Sequence, residues 1–214
     1  MKIKIAILGS TGSVGKTTFD IICKNKNFFD LYLLTANSNF NEIFKQSKIL
    51  KPKNIVVNNI DCFNKLKKNI TNKKINIFNS FSDFNKKFKK KIDYTMCAIS
   101  GIEGLKPTLD SIKFSKKVGI ANKESLICGW NLIKKELKKN KTHFIPIDSE
   151  HFSIWSLINN LDTNKIEKIF ITASGGPFLN LSINKFSKIT PLLATKHPNW
   201  KMGKKISVDS STMM

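Results

Sequence analysis

Short apolar runs alternate along this chain with longer stretches in which apolar residues recur every third or fourth position. IKIAIL (3–8), LYLLT (31–35), NIVV (54–57), INIF (75–78), YTMCAI (94–99), KVGIA (117–121) and HFIPI (143–147) have the length and β-branched content of strands. Between them, amphipathic stretches at 16–23, 41–50, 61–69, 82–90, 105–115 and 124–139 predict helices. In the last of these, Leu126, Trp130, Ile133 and Leu137 form a stripe at helical spacing, as on a face packed against a core. Regular alternation of strand and helix predicts an α/β fold with a doubly wound, mostly parallel, Rossmann-like sheet. Beyond residue 147 the pattern loosens to a helix expected at 151–160, a strand at KIFIT (168–172) and mostly irregular chain. That change places a domain boundary near 147–151 and divides the chain into 1–149 and 150–214.

Composition narrows the function classes. No apolar run is long enough to span a bilayer, and the apolar start runs straight into a glycine turn, unlike a signal peptide. The widely spaced Cys23, Cys62, Cys97 and Cys128 form no CxxC pair and read as thiols in a reducing, cytoplasmic setting. Net charge is +22. Every basic residue is lysine, scattered among Asn, Ile and Phe, and arginine, the usual bidentate reader of guanine and phosphate, is absent. The charge therefore predicts non-specific sticking to polyanions and no specific nucleic-acid partner; a non-enzymatic basic binding protein stands as an alternative class.

Four stretches carry candidate chemistry. LGSTGSVGKTT (8–18) follows a strand and opens a helix, with Gly9, Gly12 and Gly15 letting backbone amides approach a phosphate. Gly15, Lys16 and Thr17 also resemble the end of a Walker loop, but that motif needs glycine at position 10, where Ser10 stands. A Rossmann nucleotide turn is favoured, and a P-loop hydrolase is the alternative. The second strand ends in Thr35, Ala36, Asn37, Ser38 and Asn39, with no carboxylate to repel a 2′-phosphate, which favours NADP over NAD. ANKES (121–125) joins a strand end to a helix start, where Lys123 would meet substrate and Asn122 or Glu124 cofactor; a plain helix cap explains Asn122 and Ser125 equally well. In TASGGPF (172–178), Ser174 with two glycines makes a small phosphate nest or an ordinary turn. Near the end, Trp200 and Met202 between Pro198 and Gly203 have the look of a lid loop, with His197 at its base. Finally, FIPIDSEH (144–151) closes an apolar run with Asp148 and Glu150. If the strand persists to Glu150, the two carboxylates share a side and repel unless a cation lies between them.

GSTGSVG (9–15), ANKES (121–125), IDSEH (147–151), SGGPF (174–178) and HPNWKMGKKISVDSSTMM (197–214), in this order, closely resemble the 1-deoxy-D-xylulose 5-phosphate reductoisomerase family. The resemblance runs from the first strand to the last residue. It implies an NADPH- and divalent-metal-dependent enzyme of the non-mevalonate isoprenoid pathway. Such an enzyme rearranges deoxyxylulose 5-phosphate and reduces the product to 2-C-methyl-D-erythritol 4-phosphate. Carried over by position, it implies cofactor contacts at Thr11, Gly12, Ser13, Val14, Asn37, Ser38, Asn39, Asn122, Glu124 and Gly203. It implies Asp148 and Glu150 as ligands of Mg²⁺ or Mn²⁺, with Co²⁺ a further candidate. Substrate contacts are implied at Lys123, Ser149, Glu150, Ser174, His197 and Ser210, with Asp148, Glu150, Lys123 and His197 as the catalytic set and Trp200 and Met202 in the lid. Residues 1–149 would be the NADPH-binding domain and 150–214 part of an α/β catalytic domain. The substrate would be a small phosphorylated sugar, and the full-length protein a cytoplasmic homodimer. The family motif continues past Met214 with Asn, Lys and a further Glu ligand, so the 214-residue chain alone is expected to lack turnover.

Overall fold

The computed structural model describes residues 1–88, 91–171, 175–201 and 203–212, without the side chains of Ser149, Thr163, Lys205, Ile206 and Thr212. It divides into two compact units, Met1–Ser156 and Leu157–Met214.

The first unit is built on seven strands: β1 (Ile3–Leu8), β2 (Phe29–Ala36), β3 (Asn54–Val57), β4 (Asn76–Phe78), β5 (Ile92–Cys97), β6 (Ser115–Ile120) and β7 (His143–Pro146). They form one sheet in the order β4-β3-β2-β1-β5-β6-β7, and every pairing is parallel. The helices between them are α1 (Ser13–Lys24), α2 (Phe40–Leu50), α3 (Ile60–Asn69), α4 (Phe81–Lys87), α5 (Leu105–Phe114) and α6 (Lys123–Asn140). The alternation of side chains along each strand splits the core in two. Ile5, Ile7, Ile55 and Val57 join Phe19, Ile22, Ile43 and Leu66 in one cluster. Ala6, Leu8, Val56, Val118 and Ile120 join Phe84, Ile112, Phe114 and Ile133 in another. A sheet buried on both faces explains why its strands read as continuous apolar runs. Of the predicted α6 stripe, Ile133 is buried, Leu126 and Leu137 are half-buried against the second cluster, and Trp130 tilts against the Phe144 ring at 5.8 Å.

The chain winds outward from β1 to β4, then returns to place β5 on the other side of β1. This reversal opens a crevice at the carboxyl ends of β1 and β5, where open α/β sheets bind ligands. The carboxyl ends of β6 and β7 follow in the same row.

Two sequence expectations fail beyond β7. The strand ends at Pro146, and Ser149–Ile158 is helix α7, starting earlier than the 151–160 expected. The same-side argument for Asp148 and Glu150 therefore does not apply, because they flank a helix start. KIFIT (168–172) forms no strand over residues 168–171, and Thr172 lies outside the described residues. A strand needs a partner, and Phe170, 84% exposed, has no backbone ladder beside it among the described residues. The second unit holds α8 (Pro191–Ala194) and α9 (Lys204–Thr212), the latter in a stretch read as irregular. Among its described side chains the buried ones are Ser207, Ser210 and Ser211, so helical spacing is carried there by serines rather than by the apolar residues that usually signal it. No helix among the described residues is long and apolar enough to cross a membrane.

Candidate functional site

The glycine turn is held by contacts from distant sequence. Thr35, at the end of β2, accepts the Gly9 N–H on its hydroxyl at 2.9 Å and the Ser10 N–H on its carbonyl at 2.9 Å. Gln46 of α2, only 1% exposed, donates to the Ser10 carbonyl at 2.9 Å. Gly9 has φ +79°, and a Cβ there would lie 2.9 Å from the Ala98 carbonyl oxygen, just past β5. A side chain is excluded both by the left-handed backbone and by the neighbouring strand. Gly15 has no room either, since its Cβ would overlap the Gly9 carbonyl. Gly12 differs: its nearest neighbour would be the Gly9 oxygen at 3.6 Å, an ordinary contact. Gly12 is the N-cap of α1, and no side chain caps that helix. The amides of its first turn thus suit an anion, with the helix dipole adding positive potential. Thr11 is half-buried; Gly12, Ser13 and Val14 are exposed.

Lys16 does not complete a Walker loop. Its ammonium lies 3.5 Å from Glu42 of α2, whose other oxygen accepts from Gln46 at 3.1 Å. Asn37, Ser38 and Asn39 are exposed at the end of β2, beside the turn. The Asn39 side chain caps α2 by accepting from the Glu42 N–H at 3.1 Å, so Asn39 has a structural use of its own.

At the end of β6, Asn122 caps α6 by accepting the Ser125 N–H at 2.8 Å. Lys123 is exposed and Glu124 half-buried in the first helical turn. One strand further along, Asp148 precedes α7 and takes the N-cap role, its Oδ1 accepting the His151 N–H at 2.9 Å. The His151 Nδ1 lies 2.6 Å from the same oxygen. Both Asp148 and the exposed Glu150 put negative charge at a helix N-terminus, which the dipole favours without any metal. Among the described residues there is no group of three or more His, Cys, Asp or Glu side chains placed to hold a metal ion. The two carboxylates are hard oxygen donors of the kind that Mg²⁺ or Mn²⁺ takes, but they form only part of a coordination shell. Of Ser149, the backbone alone is described, as the first residue of α7.

In the second unit, Ser174 and Met202 lie outside the described residues. Gly176 packs on α9: a Cβ there would lie 2.6 Å from the Ser211 Cα and overlap the Ser210 carbonyl. The glycine-rich turn and Ser210, 34 positions apart in sequence, are thereby brought together. His197 Nδ1 accepts the N–H groups of Asn199 and Trp200, each at 3.1 Å. That leaves the proton of the neutral ring on Nε2, which is buried without a hydrogen-bond partner among the described residues. Trp200 is 62% exposed, and Gly203 is exposed with nothing near its Cβ position.

Sequence reasoning missed Thr35, Gln46 and Glu42. Gln46 carried a legible signal, being a polar residue on the buried stripe of α2 beside Ile43 and Ser47.

A parallel seven-stranded sheet with a glycine turn at its switch point defines a protein of the Rossmann-type α/β class. A family model for 1-deoxy-D-xylulose 5-phosphate reductoisomerase matches residues 5–129, and one for that enzyme's C-terminal domain matches residues 144–214. The chain belongs to the 1-deoxy-D-xylulose 5-phosphate reductoisomerase family. It is 57% identical over 213 residues to the reductoisomerase of Pelagibacter ubique, covering 99% of this chain and 55% of that protein. It is 41% identical over 212 residues to that of a Culex pipiens strain of Wolbachia pipientis, covering 99% of this chain and 54% of that protein. Among solved structures, the Zymomonas mobilis reductoisomerase in complex with NADPH superposes with a TM-score of 0.88 at 33% identity, covering 100% of this chain and 55% of that one. A reductoisomerase in complex with NADPH, fosmidomycin and magnesium superposes with a TM-score of 0.82 at 32% identity, covering 99% of this chain and 55% of that one. The chain spans about half the length of the relatives it matches.

Proposed function

We propose that this chain supplies the cofactor-binding part, and a portion of the catalytic part, of an NADPH- and divalent-metal-dependent reductoisomerase. The whole enzyme would rearrange deoxyxylulose 5-phosphate and reduce it to 2-C-methyl-D-erythritol 4-phosphate. The observation that carries this reading is the row of polar loops at the carboxyl ends of β1, β5, β6 and β7, in a member of this family. Residues 1–149 would serve as the NADPH domain and 150–214 as part of the catalytic domain.

In this reading the amides at Gly12, Ser13 and Val14, with Thr11, hold the pyrophosphate. Asn37, Ser38 and Asn39 read the adenosine phosphate, and Glu124 and Gly203 touch the cofactor further along. Bound there, NADPH supplies a hydride, and a divalent cation at Asp148 and Glu150 supplies a Lewis acid for the substrate oxygens. Lys123, Ser149, Ser174, His197 and Ser210 hold the small phosphorylated sugar. With Nδ1 occupied by the backbone N–H groups of Asn199 and Trp200, His197 offers Nε2 as its donor. A homodimer in the cytoplasm is the state in which the whole protein would work.

Titration of the chain with NADPH, NADH and ATP tests the reading. NADPH is expected to bind more tightly than NADH, with no comparable ATP binding. Tight ATP binding lost on Lys16→Ala would replace this reading with a nucleotide hydrolase. An NADPH-oxidation assay with deoxyxylulose 5-phosphate and Mn²⁺ is expected to find no turnover in the 214-residue chain and turnover in one carrying the family's continuation.

A further inference from the structure

Asn122 is 4% exposed, and its side chain is fully engaged by the protein. Its Oδ1 accepts the Ser125 N–H at 2.8 Å, and its Nδ2 donates to the Ile99 and Gly101 carbonyls, the latter at 2.7 Å. Those carbonyls belong to the connection between β5 and α5, so one amide ties together the carboxyl ends of two adjacent strands. An amide nitrogen has two hydrogens, and both are used. Gly104 provides the space: a Cβ there would overlap Nδ2 itself and lie 2.5 Å from the Ile99 oxygen.

We propose that Asn122 and Gly104 are positioning residues, forming a clasp that sets the first turn of α6 so that Glu124 meets the cofactor and Lys123 the substrate. This rests on the proposed roles of Lys123 and Glu124. The side chain of Asn122 then acts on the cofactor through its neighbours, with no Nδ2 hydrogen to donate to a ligand. Lys123 and Glu124 are the first two residues of α6, directly after the clasped residue. A shift of the β5–α5 connection against β6 would move both of them together.

The test is a double-variant cycle read by NADPH fluorescence in the 214-residue chain. Asn122→Ser keeps a capping oxygen and removes the bridge; it is expected to weaken NADPH binding at least tenfold while the chain stays folded by circular dichroism. In a Glu124→Gln background the same change is expected to cost less than twofold, because the group it positions is already lost. Gly104→Ala is expected to weaken binding by crowding the amide. Adding Asn122→Ser to it should bring no further loss, because the shorter side chain vacates that space. Losses that simply multiply in both pairs overturn the clasp and leave Glu124 as a cofactor contact. Unchanged affinity in Glu124→Gln alone overturns the reading on which the clasp rests. Should Asn122→Ser unfold the chain, Gly104→Ala measured with and without Glu124→Gln decides: a loss of NADPH affinity that disappears in the Glu124→Gln background supports the clasp, and losses that multiply overturn it.

Discussion

The side-chain amide of Gln46 reaches the backbone carbonyl of Ser10 at 2.9 Å, joining the second helix to the glycine turn across 36 positions of sequence. Both residues are buried, so Gln46→Leu leaves a buried carbonyl without a donor. Such a loss costs about 1–3 kcal/mol. A lowering of the melting temperature by roughly 2–12 °C is expected for a chain of this size. NADPH affinity should fall several-fold as the turn loosens. Unchanged melting and affinity would mean that the other ties to Thr35 suffice.

Gly12 and Gly15 should separate binding from folding. A Cβ at Gly12 meets only ordinary contacts, whereas at Gly15 it overlaps the Gly9 carbonyl. Gly12→Val is therefore expected to melt close to the parent chain yet lose NADPH binding in a fluorescence titration. Gly15→Ala is expected to lower the melting temperature sharply. A folded Gly12→Val chain that still binds would remove the pyrophosphate from this turn.

Two substitutions at Asp148 divide its structural use from its proposed chemical one. Asp148→Asn keeps an oxygen for the His151 N–H and discards the charge. Mn²⁺ binding, followed calorimetrically with NADPH present, should weaken at least tenfold with the melt little changed. Asp148→Ala should also destabilise α7, by about 1 kcal/mol for a lost cap. Equal Mn²⁺ affinity in all three chains would leave Asp148 as a helix cap alone.

Burial pushes the Tyr94 hydroxyl up from 10.0 to about 12 and the Cys97 thiol up from 9.0 to about 11. A raised value means that the fold keeps the neutral form. The stability this contributes is fully present below the ordinary values and is lost as pH rises through the folded ones. Stability is thus expected to decline from about pH 9 and steeply towards pH 12. Tyr94→Phe should flatten the decline above pH 10, as measured by urea unfolding at stepped pH. An identical slope in the variant would exclude Tyr94 as a cause.

The seven strands and the helices α1 to α6 between them were legible because both faces of the sheet are buried, so period and length alone betray each element. Placement of the loops along one edge followed from the winding. What stayed illegible depends on partners. Thr35 and Asn122 act on amides or carbonyls 21 to 26 positions away, and no local pattern encodes such a reach; Gln46 shows its buried polar position in sequence but not its partner 36 positions away. KIFIT has the composition of a strand but no neighbouring strand among the described residues, and α9 buries serines where apolar residues would have announced a helix. At Asp148 the local signal was present, since an Asp with an unhindered third residue beyond it is a capping pattern. The apolar run before it drew the strand too far.

The two outer strands of the sheet carry a further consequence. The Ile147 N–H donates to Ile120 of β6, so the next amide back along the chain faces the open side, and that residue is Pro146. The rim there lacks one of its two outward donors, leaving the Phe144 amide alone to meet an incoming extended segment. The opposite rim, β4, is three residues long. Both ends of the sheet thus resist templating by a neighbouring molecule, a safeguard against edge-to-edge aggregation in a domain whose parallel strands pair late in folding.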